Sequence, residues 1–163
     1  MTIPAIHVRR VTEADNATIV YHRQSMFRDM GMPTPAHRAD QINAAYQRWL
    51  TRTLAAGDYV GFFAVTTDEH GAEQVAAGAG LLIYDWIPNL LDGNETRGYI
   101  MNVYTEAAFR KRGLARQLVE LCVEHCRGLG IQLIMLHASE AGRPIYEQLG
   151  FKPTNEMRLM LDK

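Results

Sequence analysis

Four cationic side chains in eight positions mark the segment FRKRGLAR, residues 109–116. This segment follows a predicted strand and precedes a predicted helix that begins near Gly113. The first N–H groups of a helix have no partner inside the helix and lie at the positive end of its dipole, so a turn before them can hold an anion. Gly113 would let the backbone approach the anion closely, and Ala115 would leave the next approach open. The pattern indicates a pyrophosphate site, and a solvated basic turn is the alternative that this segment alone leaves open.

Two common phosphate loops are excluded by the sequence. The chain has no Gly-Lys-Ser/Thr, which a P-loop requires, and no G-x-G-x-x-G followed by an acid for a ribose. The chain has 163 residues and a formal net charge of -1, so no domain-wide positive field exists to attract nucleic acid or an anionic membrane. The partner of the basic turn is therefore expected to be small.

The two cysteines, Cys122 and Cys126, lie four residues apart within an apparent helix. This spacing is no disulfide framework, and without a second pair of ligands it is no zinc signature. His125 lies between them but points off their face, so we expect no metal site and predict two buried thiols on a core-facing stripe. The first residues lack the apolar stretch of a secretory signal and no run reaches membrane-spanning length, so we expect a cytoplasmic protein.

The order of the elements predicts one domain over residues 1–163 with a mixed sheet that carries helices on its faces. Strands in hairpin order come first, and a strand–helix–strand unit follows. The predicted strands lie near residues 6–11, 59–66, 75–86, 97–105, 131–138 and 157–161. The predicted helices run from residue 12 to about residue 28 and over residues 42–56, 113–130 and 142–150.

Two motifs carry a resemblance to a known family. The pattern Arg-x-x-Gly-x-Ala at Arg110, Gly113 and Ala115 resembles the acetyl-coenzyme A loop of the GNAT acyltransferase superfamily. The downstream segment YEQLGF, residues 146–151, is similar to the second signature of that superfamily, and NVYT before the loop is similar to its central strand. The resemblance extends from about Gly98 to Phe151. It implies an α+β fold with a mixed, mostly antiparallel sheet of six or seven strands flanked by about four helices.

The resemblance also implies roles for individual residues. The main chain at the end of the central strand would bind the pantetheine arm of acetyl-CoA, and the basic loop would wrap its pyrophosphate. Ser139 stands where many relatives carry an asparagine, and could cap the next helix and touch the cofactor. Tyr146 would give a proton to the departing thiolate. The implied cofactor-binding residues are Val103, Tyr104, Thr105, Arg110, Lys111, Arg112, Gly113, Leu114, Ala115, Arg116 and Ser139.

The general base and the acceptor pocket stay open at this point. We expect a water relay that involves polar groups near Tyr99, and the roles of His137, Glu140 and Arg143 are undecided. In this fold the acceptor pocket is built from the loops that correspond to residues 28–40 and 85–98.

The resemblance implies transfer of an acetyl group from acetyl-CoA to a primary amine, by direct attack in a ternary complex. A small-molecule amine is the leading acceptor; a protein N-terminus or lysine and a non-catalytic acyl-CoA-binding module are the alternatives. Because only twelve residues follow Phe151, the last hairpin would be short and one cleft wall thin. A second subunit in a homodimer could complete that wall.

Overall fold

In the computed structural model of the protein, which describes residues 5–91 and 93–161, five strands form one sheet in chain order. The strands are β1 (His7–Arg10), β2 (Tyr59–Thr67), β3 (Glu73–Asp85), β4 (Thr96–Thr105) and β5 (Ile134–Leu136). Four α-helices accompany them: α1 (Asn16–Asp29), α2 (Ala39–Ala56), α3 (Leu114–Gly128) and α4 (Arg143–Gln148). The predicted class, a mixed and mostly antiparallel sheet with about four helices, is confirmed.

The sheet of the described residues has five strands, whereas the sequence predicted six or seven strands. Within the described residues, the segment 157–161 forms no strand, and residues 152–161 are exposed and have no regular secondary structure, with Met157 98% accessible. The neighbouring strand β5 pairs over only three residues, so its outer edge offers few N–H and C=O groups to a further strand. The predicted strand over residues 131–138 is likewise shortened to Ile134–Leu136.

Pairing changes from antiparallel to parallel at the end of the sheet. Strands β1 to β4 are joined by antiparallel ladders, whereas β5 lies parallel to β4. Parallel strands need a crossover connection, and α3 supplies it between β4 and β5.

Each face of the sheet is covered by its own hydrophobic cluster. On one face, here called the α3 face, Leu118 and Cys122 of α3 are fully buried and pack with Ile100 of β4. On the opposite α1/α2 face, Ile19 of α1 and Leu50 of α2 pack with the inner side chains of β2. Neither cluster leaves β4 free to shift, so the strand is a fixed frame for the groups at its end.

The prediction of buried thiols in α3 is confirmed. Cys122 and Cys126 are both fully buried in the cluster on the α3 face. Burial raises the pKa of the Cys122 thiol to about 12 and that of the Cys126 thiol to about 11.

The turn into α1 forms as its sequence predicts. The carboxylate of Asp15 accepts a hydrogen bond from the Thr12 N–H at 2.7 Å, and it pairs with the guanidinium of Arg9 at 2.8 Å. The Arg9 hydrogen bond, opposed by burial, holds the pKa of the Asp15 carboxyl below its usual range.

Candidate active site

A cleft opens where β4 and β5 part. The last paired residues are Ile100 and Leu136, and from Met101 onward β4 keeps its ladder with β3 but has no described strand on its other side. Val103, Tyr104 and Thr105, which the sequence assigned to cofactor binding, are the last residues of this stretch of β4. Their main chain therefore offers a free edge to an extended ligand with amide groups.

A bulge at Asn102 marks the point of divergence. Asn102 has a φ of 55°, and the register between β3 and β4 shifts between Gly78 and Gly80, opposite this residue. Its buried amide Nδ2 donates to the hydroxyl of Tyr46 at 2.6 Å and to the hydroxyl of Tyr59 at 3.3 Å. Asparagine adopts a left-handed conformation more readily than most residues. That preference was the only signal in the sequence for the bulge, and sequence reasoning missed it.

The basic loop reaches α3 through two left-handed residues. Lys111 has a φ of 62°, and Gly113, the residue that caps α3, has a φ of 77°. A Cβ placed on Gly113 would meet no atom of the described residues within 4 Å, so the space before the glycine is open. Leu114 is buried and anchors the first turn, while Ala115 is half-buried beside it. The first N–H groups of α3 thus follow a glycine whose Cβ position is open, as an anion site before a helix requires.

The four cations of the loop have different partners. Arg110 pairs with Asp29 of α1 and also donates from Nε to the Thr105 carbonyl at 3.0 Å, so it ties the loop to two elements. Arg116 pairs with Glu120 one turn later at 3.0 Å.

Lys111 and Arg112 carry the loop's unbalanced charge. Arg112 donates to the Ala108 carbonyl at 3.2 Å, and neither side chain has an ion-pair partner within residues 5–91 and 93–161. These two cations therefore supply most of the net positive charge at the mouth of the loop.

Tyr146 lies on the α3 face, in the cluster that also contains Ile100 of β4. Its side chain is 8% exposed and packs edge-on against Phe151, with ring centroids 6.0 Å apart. Burial, with a smaller contribution from Cys122, raises the pKa of the Tyr146 phenol. The phenol therefore keeps its proton over the whole neutral range.

Ser139 and Gly142 position the helix that carries Tyr146. The Ser139 hydroxyl accepts a hydrogen bond from the Gly142 N–H at 3.1 Å, in the turn before α4. A Cβ on Gly142 would lie 2.9 Å from the Tyr146 ring, so only glycine fits there without moving the tyrosine. Sequence reasoning identified Ser139 as a possible cap and missed Gly142.

Tyr99 and His137 face each other across the start of the cleft. The Tyr99 hydroxyl is hydrogen-bonded to Nδ1 of His137, which follows the end of β5. Glu140 is exposed, and Arg143 lies 4.0 Å from Glu147 on its own helix. Of the three undecided residues His137, Glu140 and Arg143, only His137 is joined to β4 by a hydrogen bond.

A second histidine, His22 of α1, is buried beneath Tyr104. Its Nε2 lies 3.5 Å from a carboxylate oxygen of Glu106, and its Nδ1 has no hydrogen-bond partner among the described residues. Burial outweighs this carboxylate and lowers the pKa of His22 to about 4. His22 is therefore a neutral part of the core below the site, and sequence reasoning did not find it.

The expected acceptor loops differ in what they expose. Asp29, at the end of α1, is engaged by Arg110 and does not point a free carboxylate at the cleft. In the second loop, Trp86 and Ile87 are half or more exposed, and Asp92 lies outside the described residues.

The described ranges 5–91 and 93–161 contain no metal-binding cluster and no membrane-spanning helix. No cluster of three or more histidine, cysteine, aspartate or glutamate side chains there could hold a metal ion. No helix of those ranges has both the length and the apolarity to cross a membrane.

Known proteins share sequence and fold with this chain. The crystal structure of a GCN5-related N-acetyltransferase from Ralstonia eutropha JMP134 matches with a TM-score of 0.85 and 31% identity, over 96% of this chain and 99% of that one. A predicted acetyltransferase from Clostridium acetobutylicum, solved with acetyl-CoA, matches with a TM-score of 0.84 and 28% identity, over 97% and 96%. A glucosamine 6-phosphate N-acetyltransferase from Trypanosoma brucei brucei is 30% identical over 89 residues, which are 55% of this chain and 58% of that protein. Residues 23–151 match the acetyltransferase (GNAT) family, and the chain belongs to that family.

Proposed function

We propose that this protein transfers an acetyl group from acetyl-CoA to a primary amine of a small molecule, by direct attack in a ternary complex. The observation that carries the proposal is the free edge of β4 after Ile100, which ends beside the open N-terminus of α3. A free strand edge can bind the amides of an acyl-CoA molecule, and a helix N-terminus can bind the pyrophosphate of the same molecule.

Two observations support the fit of acetyl-CoA. The left-handed Gly113 has open space where a Cβ would stand, and none of the described residues forms a strand on the β5 side of residues 101–105. The main chain of Val103, Tyr104 and Thr105 would hold the pantetheine arm. The pyrophosphate would be held by the loop residues from Arg110 and Lys111 to Arg116, with Arg110 acting mainly as a brace to Asp29. Ser139 would act through the turn that it caps.

Bound acetyl-CoA supplies a thioester carbonyl that a neutral amine can attack. The chain contributes by holding the amine in contact with that carbonyl, which can lower the barrier by about 7–11 kcal/mol. An amine with a pKa near ~10 must first lose a proton, at a free-energy cost of about 4 kcal/mol at pH 7. Both a route for that proton and a proton for the leaving thiolate are therefore needed.

Tyr146 is proposed as the acid that protonates the thiolate. Its raised pKa keeps the phenolic proton in place until a thiolate forms beside it. The packing of its ring against Phe151 and over Gly142 limits its motion, so the hydroxyl stays in one position.

Tyr99 and His137 are proposed as the route for the amine proton. The Tyr99 hydroxyl can accept a proton, directly or through a water molecule, while it passes its own proton to Nδ1 of His137. This pair gives a structural basis to the relay that the sequence placed near Tyr99. Replacing His137 by Gln should lower kcat by roughly 10²-fold or more near pH 7, and raising the pH should recover part of the loss because more amine is neutral. A kcat that is unchanged at every pH would remove His137 from the relay.

Isothermal titration with acetyl-CoA, desulfo-CoA and ATP tests the cofactor part of the proposal. We expect both CoA species to bind and ATP to bind weakly. An amine screen that includes glucosamine 6-phosphate, the acceptor in the name of the Trypanosoma brucei brucei relative, then tests turnover. A folded protein that binds no acetyl-CoA would overturn the proposal.

Two alternatives predict other outcomes of the same screen. Turnover of peptides and of no small amine would favour acetylation of a protein N-terminus or lysine. Binding of acetyl-CoA without turnover of any amine or peptide, at any pH, would favour a non-catalytic acyl-CoA-binding module.

The setting of the activity is proposed in three parts: a single domain over residues 1–163, a cytoplasmic location and a homodimer. The dimer is motivated by the exposed segment at Met157–Leu161, where Met157 is 98%, Leu159 82% and Leu161 82% accessible. Exposed apolar side chains are stabilised when a second subunit covers them. Size-exclusion chromatography with light scattering would test the dimer, and elution as a monomer would remove its basis.

A further inference from the structure

Arg23 on α1 is a half-buried cation without an acidic partner among the described residues. Other arginines near the cleft are balanced: Arg110 pairs with Asp29, and Arg116 pairs with Glu120. None of the ion pairs formed among the described residues involves Arg23. A partly desolvated guanidinium without a carboxylate gains strongly from an anion that reaches it.

The surroundings of Arg23 fix the guanidinium without using most of its N–H donors. Its Cζ lies 4.8 Å from the centroid of the Phe27 ring and 4.5 Å from that of the Tyr46 ring. Aromatic rings attract a cation through their faces and accept none of its conventional hydrogen bonds. Among the described residues one hydrogen bond of the guanidinium is recorded, from Nη1 to Asn102 Oδ1 at 3.4 Å. A guanidinium has five N–H donors, so a planar oxyanion can still bind it through two parallel hydrogen bonds.

The position of Arg23 places this cation at the proposed reaction centre. Its partner Asn102 is the bulge residue at which β4 leaves β5, and the proposed pantetheine-binding main chain begins at the next residue, Val103. The guanidinium approaches from the α1/α2 face, whereas Tyr146 packs on the α3 face. An acceptor that enters from the α1/α2 face would therefore meet Arg23 before its amine reaches the thioester.

We propose that Arg23 binds an oxyanion, a carboxylate or a phosphate, carried by the acceptor amine, and so selects anionic over neutral acceptors. This inference rests on the proposed acetyl transfer, whose acceptor it narrows to a compact amino acid or amino phosphate. Arg23 reaches β4 at Asn102, one residue before the proposed pantetheine-binding main chain, so a small molecule that carries both an amine and an oxyanion can contact both. Long polyamines, and lysine side chains without a nearby anion, cannot bind Arg23 through an oxyanion while their amine attacks the thioester.

The first test compares matched pairs of acceptors: β-alanine with β-alaninamide, O-phosphoethanolamine with ethanolamine, and glucosamine 6-phosphate with glucosamine. For the wild type we expect a higher kcat/KM for the anionic member of at least one pair. Arg23→Gln should lower kcat/KM for that member by about 10- to 150-fold, the range for a charge-assisted hydrogen bond, and should hardly change the neutral member. Arg23→Lys should retain only part of the preference, because an ammonium cannot form the paired hydrogen bonds.

The control variant is Arg48→Gln, which removes an exposed arginine from α2. Arg48 lies two residues beyond Tyr46, about 200° around the helix, and therefore away from the cleft. Its loss lowers the net charge by the same amount and should leave both members of each pair unchanged. Equal losses of kcat/KM for the anionic acceptor in Arg23→Gln and Arg48→Gln would mean that the effect arises from long-range charge. That result would overturn the proposal.

A second readout does not depend on turnover. The Nε–Hε signal of Arg23 in a ¹⁵N spectrum of the CoA complex, assigned by its absence in Arg23→Gln, should shift with an anionic probe and not with its neutral partner. If amines are acetylated but Arg23→Gln lowers kcat/KM equally for the anionic and neutral members, Arg23 only packs α1 against α2. The anion-binding proposal is then wrong, and the proposed acetyl transfer is supported. If no amine is acetylated but the Arg23 signal shifts with O-phosphoethanolamine, the anion site at Arg23 is supported and the proposed acetyl transfer is wrong.

Discussion

Replacing Gly113 by alanine should separate cofactor binding from stability, because the chain offers a glycine with the same backbone elsewhere. Gly113, before α3, has φ 77° and ψ 5°, and Gly57, after α2, has φ 78° and ψ 6°. At both positions a Cβ would meet no atom of the described residues within 4 Å. The two substitutions thus introduce the same backbone strain, and only one of them alters the proposed anion site.

The loss of stability should be nearly equal in the two variants. A left-handed conformation costs a residue with a Cβ about 1–2 kcal/mol relative to glycine. For a chain of this size, 1 kcal/mol changes the melting temperature by about 2–4 °C, so each variant should melt roughly 2–8 °C below the wild type.

The loss of acetyl-CoA affinity should differ between Gly113→Ala and Gly57→Ala. Displacing one charge-assisted hydrogen bond between the loop and the pyrophosphate removes about 1.5–3 kcal/mol of binding free energy. Gly113→Ala should therefore bind acetyl-CoA roughly 10- to 150-fold more weakly, since 1.4 kcal/mol corresponds to a factor of ten. Gly57→Ala should bind it like the wild type.

The assays are thermal unfolding without ligand and isothermal titration with acetyl-CoA, on both variants and the wild type. Equal affinity of Gly113→Ala and Gly57→Ala for acetyl-CoA would refute the reasoning, because the loop would then make no close contact with the cofactor. A much larger loss of stability at Gly113 than at Gly57 would refute the strain argument alone.

Three further changes have expected outcomes. Tyr146→Phe should leave acetyl-CoA affinity nearly unchanged and lower kcat by about 10²–10⁴-fold, as steady-state kinetics and titration would measure; an unchanged kcat would exclude the phenol as the acid. Asp15→Asn should destabilise the fold by about 1–3 kcal/mol at pH 7 through loss of the Arg9 pair. Because the folded pKa of Asp15 is lowered, this difference should be present above its unfolded pKa near ~3.9 and vanish as the pH falls through the lower folded value. His22 has a folded pKa of about 4 against an ordinary value near ~6.5, so the unfolded chain binds the extra proton between these values and wild-type stability should fall as the pH is lowered through this window. Urea unfolding from pH 7 to pH 4 should show a shallower decline for His22→Gln, and parallel curves would contradict the burial of His22 in its neutral form.

The sequence predicted those parts of the fold that depend on local signals. The second predicted helix ends at Gly57, whose left-handed φ of 78° is a conformation that glycine adopts without strain. The basic loop was found because its cations, its glycine and the helix that follows are contiguous. The last strand and the length of β5 were predicted wrongly. The apolar run 131–138 suits a strand throughout, but the bulge at Asn102 carries β4 away from it after three pairs.

The parts of the site that the sequence did not predict join residues far apart in the chain. The hydrogen bond from Asn102 to Tyr46 spans 56 residues, and that between Tyr99 and His137 spans 38. The ion pair of Arg110 with Asp29 spans 81 residues. Such contacts follow from the packing of α1 and α2 against the sheet and from the pairing of β4 with β5, which no local pattern of residues specifies.

The two buried thiols of α3 have a practical consequence for measuring the reaction. The thiolate is the form of cysteine that attacks chromogenic disulfide reagents, and the raised pKa values of Cys122 and Cys126 keep both side chains protonated at pH 7 to 8. They are also the chain's only cysteines, and both are out of contact with solvent. Colour that develops in such an assay therefore reports free CoA and not the protein. In a variant whose core exposes Cys122 or Cys126 to solvent, the reagent would react with the thiol and give colour before any substrate is added.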